Sequence, residues 1–342
     1  VIRSLLRWLG IGLLLLTLAA GAGAAWLWQQ WQALESAPIA SAPVAEPVRI
    51  AEGVSFGAIA RDLEGRGLVD DARLLSLYAR VEGLAGRMQA GEYRVTPGMT
   101  AAGLLRKIAA GRVIEYPLTV VEGWRFRELW QALRAHPAIE RTLPEDASDA
   151  EIMAAIGREG VHPEGRFLPE TYRFPRGTTD VDFLRRANRA LEETLEAAWA
   201  ERQPDLPLEG PEDALILASI IEKETGVAQE RRRIAGVFVR RLERGMRLQT
   251  DPTVIYGMGD AYDGNIRRQD LRRDTPYNTY TRAGLPPTPI ALAGEAAIRA
   301  AVDPADGDSL YFVSRGDGSH KFSATLEEHN RAVQRYQLGG GG

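Results

Sequence analysis

Between Trp8 and Trp28 the chain carries no charged residue, and Leu13, Leu14, Leu15, Leu16, Leu18, Ala19 and Ala20 sit at the centre of that run. About 20 apolar residues are what a helix needs to cross the hydrocarbon core of a bilayer. This one segment commits the N-terminus to a membrane-spanning helix. Arg3 and Arg7 precede the run, and the flank after Trp28 is uncharged until Glu35. A cationic flank stays on the cytoplasmic side, so the sequence predicts one crossing with the N-terminus inside and the body outside. The small residues at 21–25 leave room for the competing reading of a cleaved secretion signal, but such signals have apolar cores of about 7 to 15 residues. The length of this run favours an uncleaved anchor.

Behind the anchor, residues 31–47 read as a linker, because Pro38, Pro43 and Pro47 lie among Ala and Ser. The rest has ordinary globular composition, with 45% hydrophobic and 26% charged residues in a chain of 342, enough for two compact domains. A net charge of −4 offers no basic excess for a nucleic-acid partner. Without cysteine there is no disulfide framework, thiolate metal site or thiol nucleophile. His136, His162, His320 and His329 lie too far apart for a histidine metal motif, so neither metal nor cofactor is expected.

Residues 48–114 read as a small α+β domain. A strand at 48–50 precedes apolar residues at helical spacing (Ile59, Ala60, Leu63), a second helix carries Leu74, Leu75, Tyr78 and Val81, and a strand at 91–95 precedes a helix with Leu104, Leu105 and Ile108. A larger α+β domain spans 115–336, beginning with the strand-like run 117–121 and a helix bearing Phe126, Leu129, Trp130 and Leu133. Residues 337–342 form a Gly-rich tail. Within the larger domain, Pro211, Glu212 and Asp213 signal a helix start. From 214 to 221 only Ser219 is polar, so this helix is apolar all round and belongs in the domain centre. It ends in Glu222, Lys223, Glu224 and Thr225.

A carboxyl group just beyond a buried run is partly desolvated, which raises its pKa toward the range of a general acid at neutral pH. A plain Glu-Lys-Glu is more often a solvated helix end. Spacing leaves open which of the two acts: residues two apart on a helix face different sides, so they are no facing pair. Glu222 shares its face with Leu215, Ala218 and Ser219, whereas Glu224 shares the bulkier face of Leu217, Ile220 and Ile221, a modest preference for Glu222 beside a cleft. The arginines at 231–233, with Arg240 and Arg241, read as a solvated helix face.

The stretch 217–225 (LASIIEKET) resembles the signature helix of the YceG-like family, as do 247–257 (RLQTDPTVIYG), 276–280 (PYNTY) and 284–287 (GLPP). Residues 52–55 and 90–93 resemble its LysM-like region. One departure is visible, EGRFLPETY at 164–172 where the family reads Glu-Gly-x-Leu-Phe-Pro-Asp-Thr-Tyr. The resemblance implies a lytic transglycosylase that cuts MurNAc–GlcNAc β-1,4 bonds inside nascent peptidoglycan strands, leaves 1,6-anhydroMurNAc ends and terminates elongation. It also implies Glu222 as the catalytic acid, an inner-membrane location with a periplasmic body, and penicillin-binding-type synthases as partners. Tyr faces stack on sugars while amides, hydroxyls and carboxylates hydrogen-bond them. The expected substrate residues are accordingly Ser219, Gln249, Thr250, Asp251, Tyr277, Asn278, Tyr280, Glu170 and Tyr172. Turn and capping roles for Asp251 and Asn278 compete with that assignment. A lysozyme-like hydrolase with Asp251 or Glu170 as second carboxylate, and a non-catalytic wall-binding scaffold, are the rival readings.

Overall fold

The computed structural model describes residues 2–42 and 44–338, with side chains from residue 7 onward. Pro43 of the expected linker and Gly339–Gly342 of the expected tail lie outside the described residues. The chain divides into two compact units, Val1–Tyr116 with Phe174–Gly177, and Pro117–Arg173 with Thr178–Gly342.

The smaller unit opens with α1 (Ile2–Ser36), followed by β1 (Val48–Ile50), α2 (Phe56–Gly65), α3 (Ala72–Val81), β2 (Gly91–Tyr93) and α4 (Ala101–Ala109). α1 is long and apolar enough to cross a membrane. It runs six residues past the expected anchor boundary at residue 30. Those last turns carry Trp31 and Leu34 against the unit's core, and the Trp31 ring meets Tyr78 at 4.9 Å. Glu35 accepts hydrogen bonds from Arg106 at 2.6 and 2.8 Å and from the Tyr78 hydroxyl. Residues 31–36 are therefore helix, not linker, because they have apolar partners to bury and no proline before Pro38. The linker is also tied down beyond Ser36, where the Ile39 N–H donates to the Met99 carbonyl at 2.8 Å.

β1 and β2 pair antiparallel, Val48 opposite Tyr93. Ile59, Leu63, Leu75, Tyr78, Leu104, Leu105 and Ile108 fill the space between this ribbon and the helices. Asp71 caps α3 by accepting from the Arg73 and Leu74 N–H groups, and Thr100 caps α4 by accepting from Gly103, each satisfying donors a helix start leaves unpaired. Gly91, at φ 136, could bear no side chain: a Cβ would lie 2.5 Å from Val113.

In the larger unit the chain continues through β3 (Glu115–Thr119), α5 (Phe126–Ala135), β4 (Ile139–Glu140), α6 (Asp149–Ala155), β5 (Thr171–Pro175), β6 (Thr178–Thr179), α7 (Asp180–Ala200), α8 (Pro211–Glu224), α9 (Arg231–Glu243), α10 (Asp251–Met258), α11 (Glu295–Val302), β7 (Tyr311–Ser314), β8 (His320–Ser323) and α12 (Leu326–Val333). The unit boundaries after Tyr116 and Arg173 fall inside β3 and β5. α8 is the central element, with every residue from Ala214 to Ile221 buried and α7, α9, α10 and α11 packed around it. The small residues Ala218 and Ala297 admit close packing against bulkier Leu191, Ile234, Phe238 and Ile298 in the same core. β7 and β8 pair antiparallel, Ser314 opposite His320. α12 and a π-helical turn (Gln334–Leu338) close the chain's described part.

Candidate active site

α8 delivers its last residue, Glu224, to the wall of a cavity of about 450 Å³. Gln249, Asp251 and Tyr280 line the same cavity, together with Arg241, Tyr311 and His320. Thr250 Oγ1 donates to the Glu224 carboxylate, and the Tyr280 hydroxyl donates to Asp251 Oδ1 at 2.6 Å. Thr250 is itself pinned, its N–H on Thr279 Oγ1 at 3.1 Å. Burial pushes Glu224 up to about 7; the Thr250 hydrogen bond opposes the shift and the Asp251 charge adds to it. A carboxyl group that holds its proton near neutrality, in a cavity with aromatic and polar walls, can act as a general acid.

Glu222 occupies a different setting. Its Oε2 accepts from the Gly294 N–H at 3.0 Å, its Oε1 faces Arg231 at 3.5 Å, and its side chain is 5% exposed. Arg231 also faces Glu122 at 3.5 Å. Burial raises the Glu222 pKa, against the pull of the Gly294 hydrogen bond and with the push of the Glu122 charge. Gly294 leaves room for the Glu122 carboxylate, which a Cβ there would strike. The structure thus puts Glu224, not Glu222, on the cavity wall with the expected polar residues.

The other expected residues divide. Gln249, Asp251 and Tyr280 come together at the Glu224 cavity, with Thr250 behind the carboxylate. Ser219 is fully buried; it donates to the Ile216 carbonyl at 2.7 Å and accepts from the Ile290 N–H at 3.0 Å, so it ties loop to helix. Tyr172 is 2% exposed and donates to the Leu168 carbonyl, so the structure places it in the core. Asn278 is buried: its Nδ2 donates to the carbonyls of Asp270, Leu271 and Arg273, and its Oδ1 accepts from the Tyr280 N–H, the turn-organising role that competed for it. Tyr277 packs its ring on Tyr256 at 4.8 Å and bonds Thr288. Glu170 lines a separate groove of about 800 Å³ with Glu122, Glu193, Thr194, Glu295 and Arg299.

Sequence reasoning missed two groups. Arg241, read as part of a solvated face, is 6% exposed and donates to the carbonyls of Leu310, Arg247 and Leu248 at 2.7 to 2.9 Å. Its place on the inward side of α9 beside Phe238 was the available signal. Glu164, 5% exposed, accepts from the Phe126 N–H at 2.9 Å, and burial pushes it up to about 7. No cluster of metal-ligating side chains occurs among the described residues.

By fold and site this is an α+β protein behind an apolar helix, with a buried carboxyl group of raised pKa at a polar, aromatic-walled cavity of its larger unit. The model of the YceG-like family matches residues 48–335, and the chain belongs to that family. An endolytic murein transglycosylase of Bacillus subtilis is 30% identical over 309 residues, covering 84% of each chain. One from Streptococcus pneumoniae is 26% identical over 331 residues, covering 84% of this chain and 58% of the relative. The crystal structure of a YceG-like protein from Listeria monocytogenes superposes with a TM-score of 0.52 at 28% identity, covering 86% of this chain and all of that one.

Proposed function

We propose that the protein is a peptidoglycan lytic transglycosylase that cleaves MurNAc–GlcNAc β-1,4 bonds within nascent strands and so terminates glycan elongation, with Glu224 as its acid. The observation that carries the reading is Glu224, raised to about 7, on one cavity wall with Gln249, Asp251 and Tyr280. The protonated Glu224 gives its proton to the glycosidic oxygen as the C1–O bond breaks. As carboxylate it then takes the proton of the C6 hydroxyl on the same MurNAc, whose oxygen closes on C1. No water enters, and the anhydro end is one water lighter than a hydrolysed end. The family names of the relatives support the substrate. The apolar α1 supports an inner-membrane anchor, with the body periplasmic by the charge rule. On this reading the smaller unit is LysM-like and holds glycan, and penicillin-binding-type synthases supply the strand.

Glu224→Gln keeps size and the Thr250 contact but cannot donate an acidic proton. Release of anhydro-muropeptides from purified strands should fall by about 100- to 10,000-fold, with folding intact. Glu222→Gln should retain most activity. An inverted ranking would return the acid to Glu222, and products carrying the extra water would make the enzyme a hydrolase with Asp251 as second carboxylate.

A further inference from the structure

Trp8 and Trp28 stand exposed at the two ends of the apolar run, about 30 Å apart at about 1.5 Å per residue, and Trp26 is exposed beside Trp28. That spacing is the thickness of a bilayer's hydrocarbon core, and Trp rings favour its two borders. With α1 across a bilayer, the second border falls at Trp26 and Trp28. α3 meets α1 just beyond it. The Trp31 ring packs on Tyr78, and Leu74 lines a cavity of about 210 Å³ together with Gln30 and Leu34. Trp31 is about 4.5 Å past Trp28 along the axis, and the headgroup layer on each side is about 5 to 7 Å deep. α3, about 10 Å across with its side chains, is therefore held at the level of the headgroups. Its sides are not alike. Leu75, Tyr78 and Ala79 face the unit's core. Leu74, Leu77 and Val81 recur at helical spacing on an adjoining side, where Leu77 is 50% and Val81 64% exposed. Exposed Arg73 and Arg80 border that stripe.

We infer that the side of α3 bearing Leu74, Leu77 and Val81 is a lipid-contact surface, seated at the boundary between headgroups and acyl chains with Arg73 and Arg80 on lipid phosphates. A helix with an apolar stripe and a cationic edge lies in the plane of that boundary, and a planar guanidinium matches phosphate oxygens. Lipid is the occupant because α1 holds the stripe beside the bilayer, so that any protein partner would first have to displace lipid from it. A single spanning helix leaves tilt and rotation to be set by other contacts. Seating α3 supplies such a contact and fixes how the smaller unit stands on the membrane. The inference rests on the reading of α1 as a membrane anchor.

The test uses the full chain in vesicles of phosphatidylethanolamine and phosphatidylglycerol, with one introduced cysteine at a time carrying a nitroxide. The cysteine-free sequence makes each label unique. Labels at Leu77→Cys and Val81→Cys should collide more with membrane-dissolved oxygen than with a water-soluble nickel chelate, and a label at Ser76→Cys, on the polar side of α3, should do the reverse. Leu77→Glu combined with the Val81→Cys label should return that label to the chelate, because a carboxylate is driven out of the boundary. Labels at 77 and 81 as open to the chelate as the one at 76 overturn the inference. So do labels at 77 and 81 closed to both collision partners, with spin–spin broadening that unlabelled protein dilutes away, the mark of a second copy on the stripe. Leu15→Cys reports on α1 separately. An oxygen-exposed label there with solvated labels at 77 and 81 keeps the anchor and sinks only the inference, whereas a nickel-exposed label at 15 sinks the anchor and the inference with it.

Discussion

Glu224 and Glu164 are carboxyl groups held at about 7, above their ordinary 4.5, mainly by burial. A raised pKa means the folded state binds the proton more tightly than the unfolded chain does. The resulting stabilisation is fully present below about pH 4.5 and is lost as pH rises through about 7, up to on the order of 3 kcal/mol per group. Melting temperature should therefore fall between pH 5 and 8.5. Glu224→Gln, a neutral amide with no charge to desolvate, should flatten that slope; a slope identical to wild type would mean Glu224 does not titrate there. The same proton governs catalysis, so activity should decline above about pH 7. Asp251→Asn removes a charge that pushes Glu224 up, and should move that alkaline limb to lower pH. Asp251 faces the carboxyl with Tyr280, Arg241, His320 and His329 around the same cavity, and only the Asp251 change removes a negative charge from it. An unmoved limb in a pH–rate profile would refute the coupling.

At the scale of elements, α8 was readable because every signal on it agrees: Pro211 at the start, acids in the first turn, and an apolar run with no solvent face. Its one polar interior residue was not. Ser219 in such a run resembles a ligand contact, but its hydroxyl is engaged by the Ile216 carbonyl and by the N–H of Ile290, 71 positions further along the sequence. Long-range satisfaction of a buried N–H leaves no local mark, and the same holds for Asn278, whose side chain answers three carbonyls of its own loop. Arg241 was lost among neighbouring arginines for the complementary reason. Arg232 and Arg233 are exposed, as a charge run predicts, but 241 comes up on the packed side of α9, where the backbone carbonyls of Leu310 and Leu248 replace water. Ser219→Ala should cost about 1 to 3 kcal/mol by stranding the Ile290 N–H in the core. Activity per folded molecule should persist, and a loss larger than the loss of fold, measured by denaturant titration beside the activity assay, would place Ser219 back at the substrate.

At the scale of the whole molecule, hydrophobic length marks a helix able to cross a membrane but not where that helix ends. A helix rises about 1.5 Å per residue, so residues 8–28 already fill a hydrocarbon core of about 30 Å. α1 nevertheless continues to Ser36. The last turns carry Trp31, Leu34 and Glu35 onto Tyr78 and Arg106, and the smaller unit is thereby joined to the anchor by packing as well as by chain. The proposed orientation rests on charge: Arg7 stands before the apolar run, and the flank after it is uncharged up to Glu35. The absence of cysteine makes the topology directly measurable, because a single introduced thiol is the only one in the chain. Glu52→Cys in the smaller unit and Glu327→Cys on exposed α12 both replace solvated side chains, so neither should disturb the fold. In intact spheroplasts a membrane-impermeant maleimide should label both, to the extent seen after detergent lysis. Labelling of neither until lysis would place the body in the cytoplasm and remove it from the wall. Labelling of only one would require the chain to cross the bilayer a second time, which no other helix among the described residues is long and apolar enough to do.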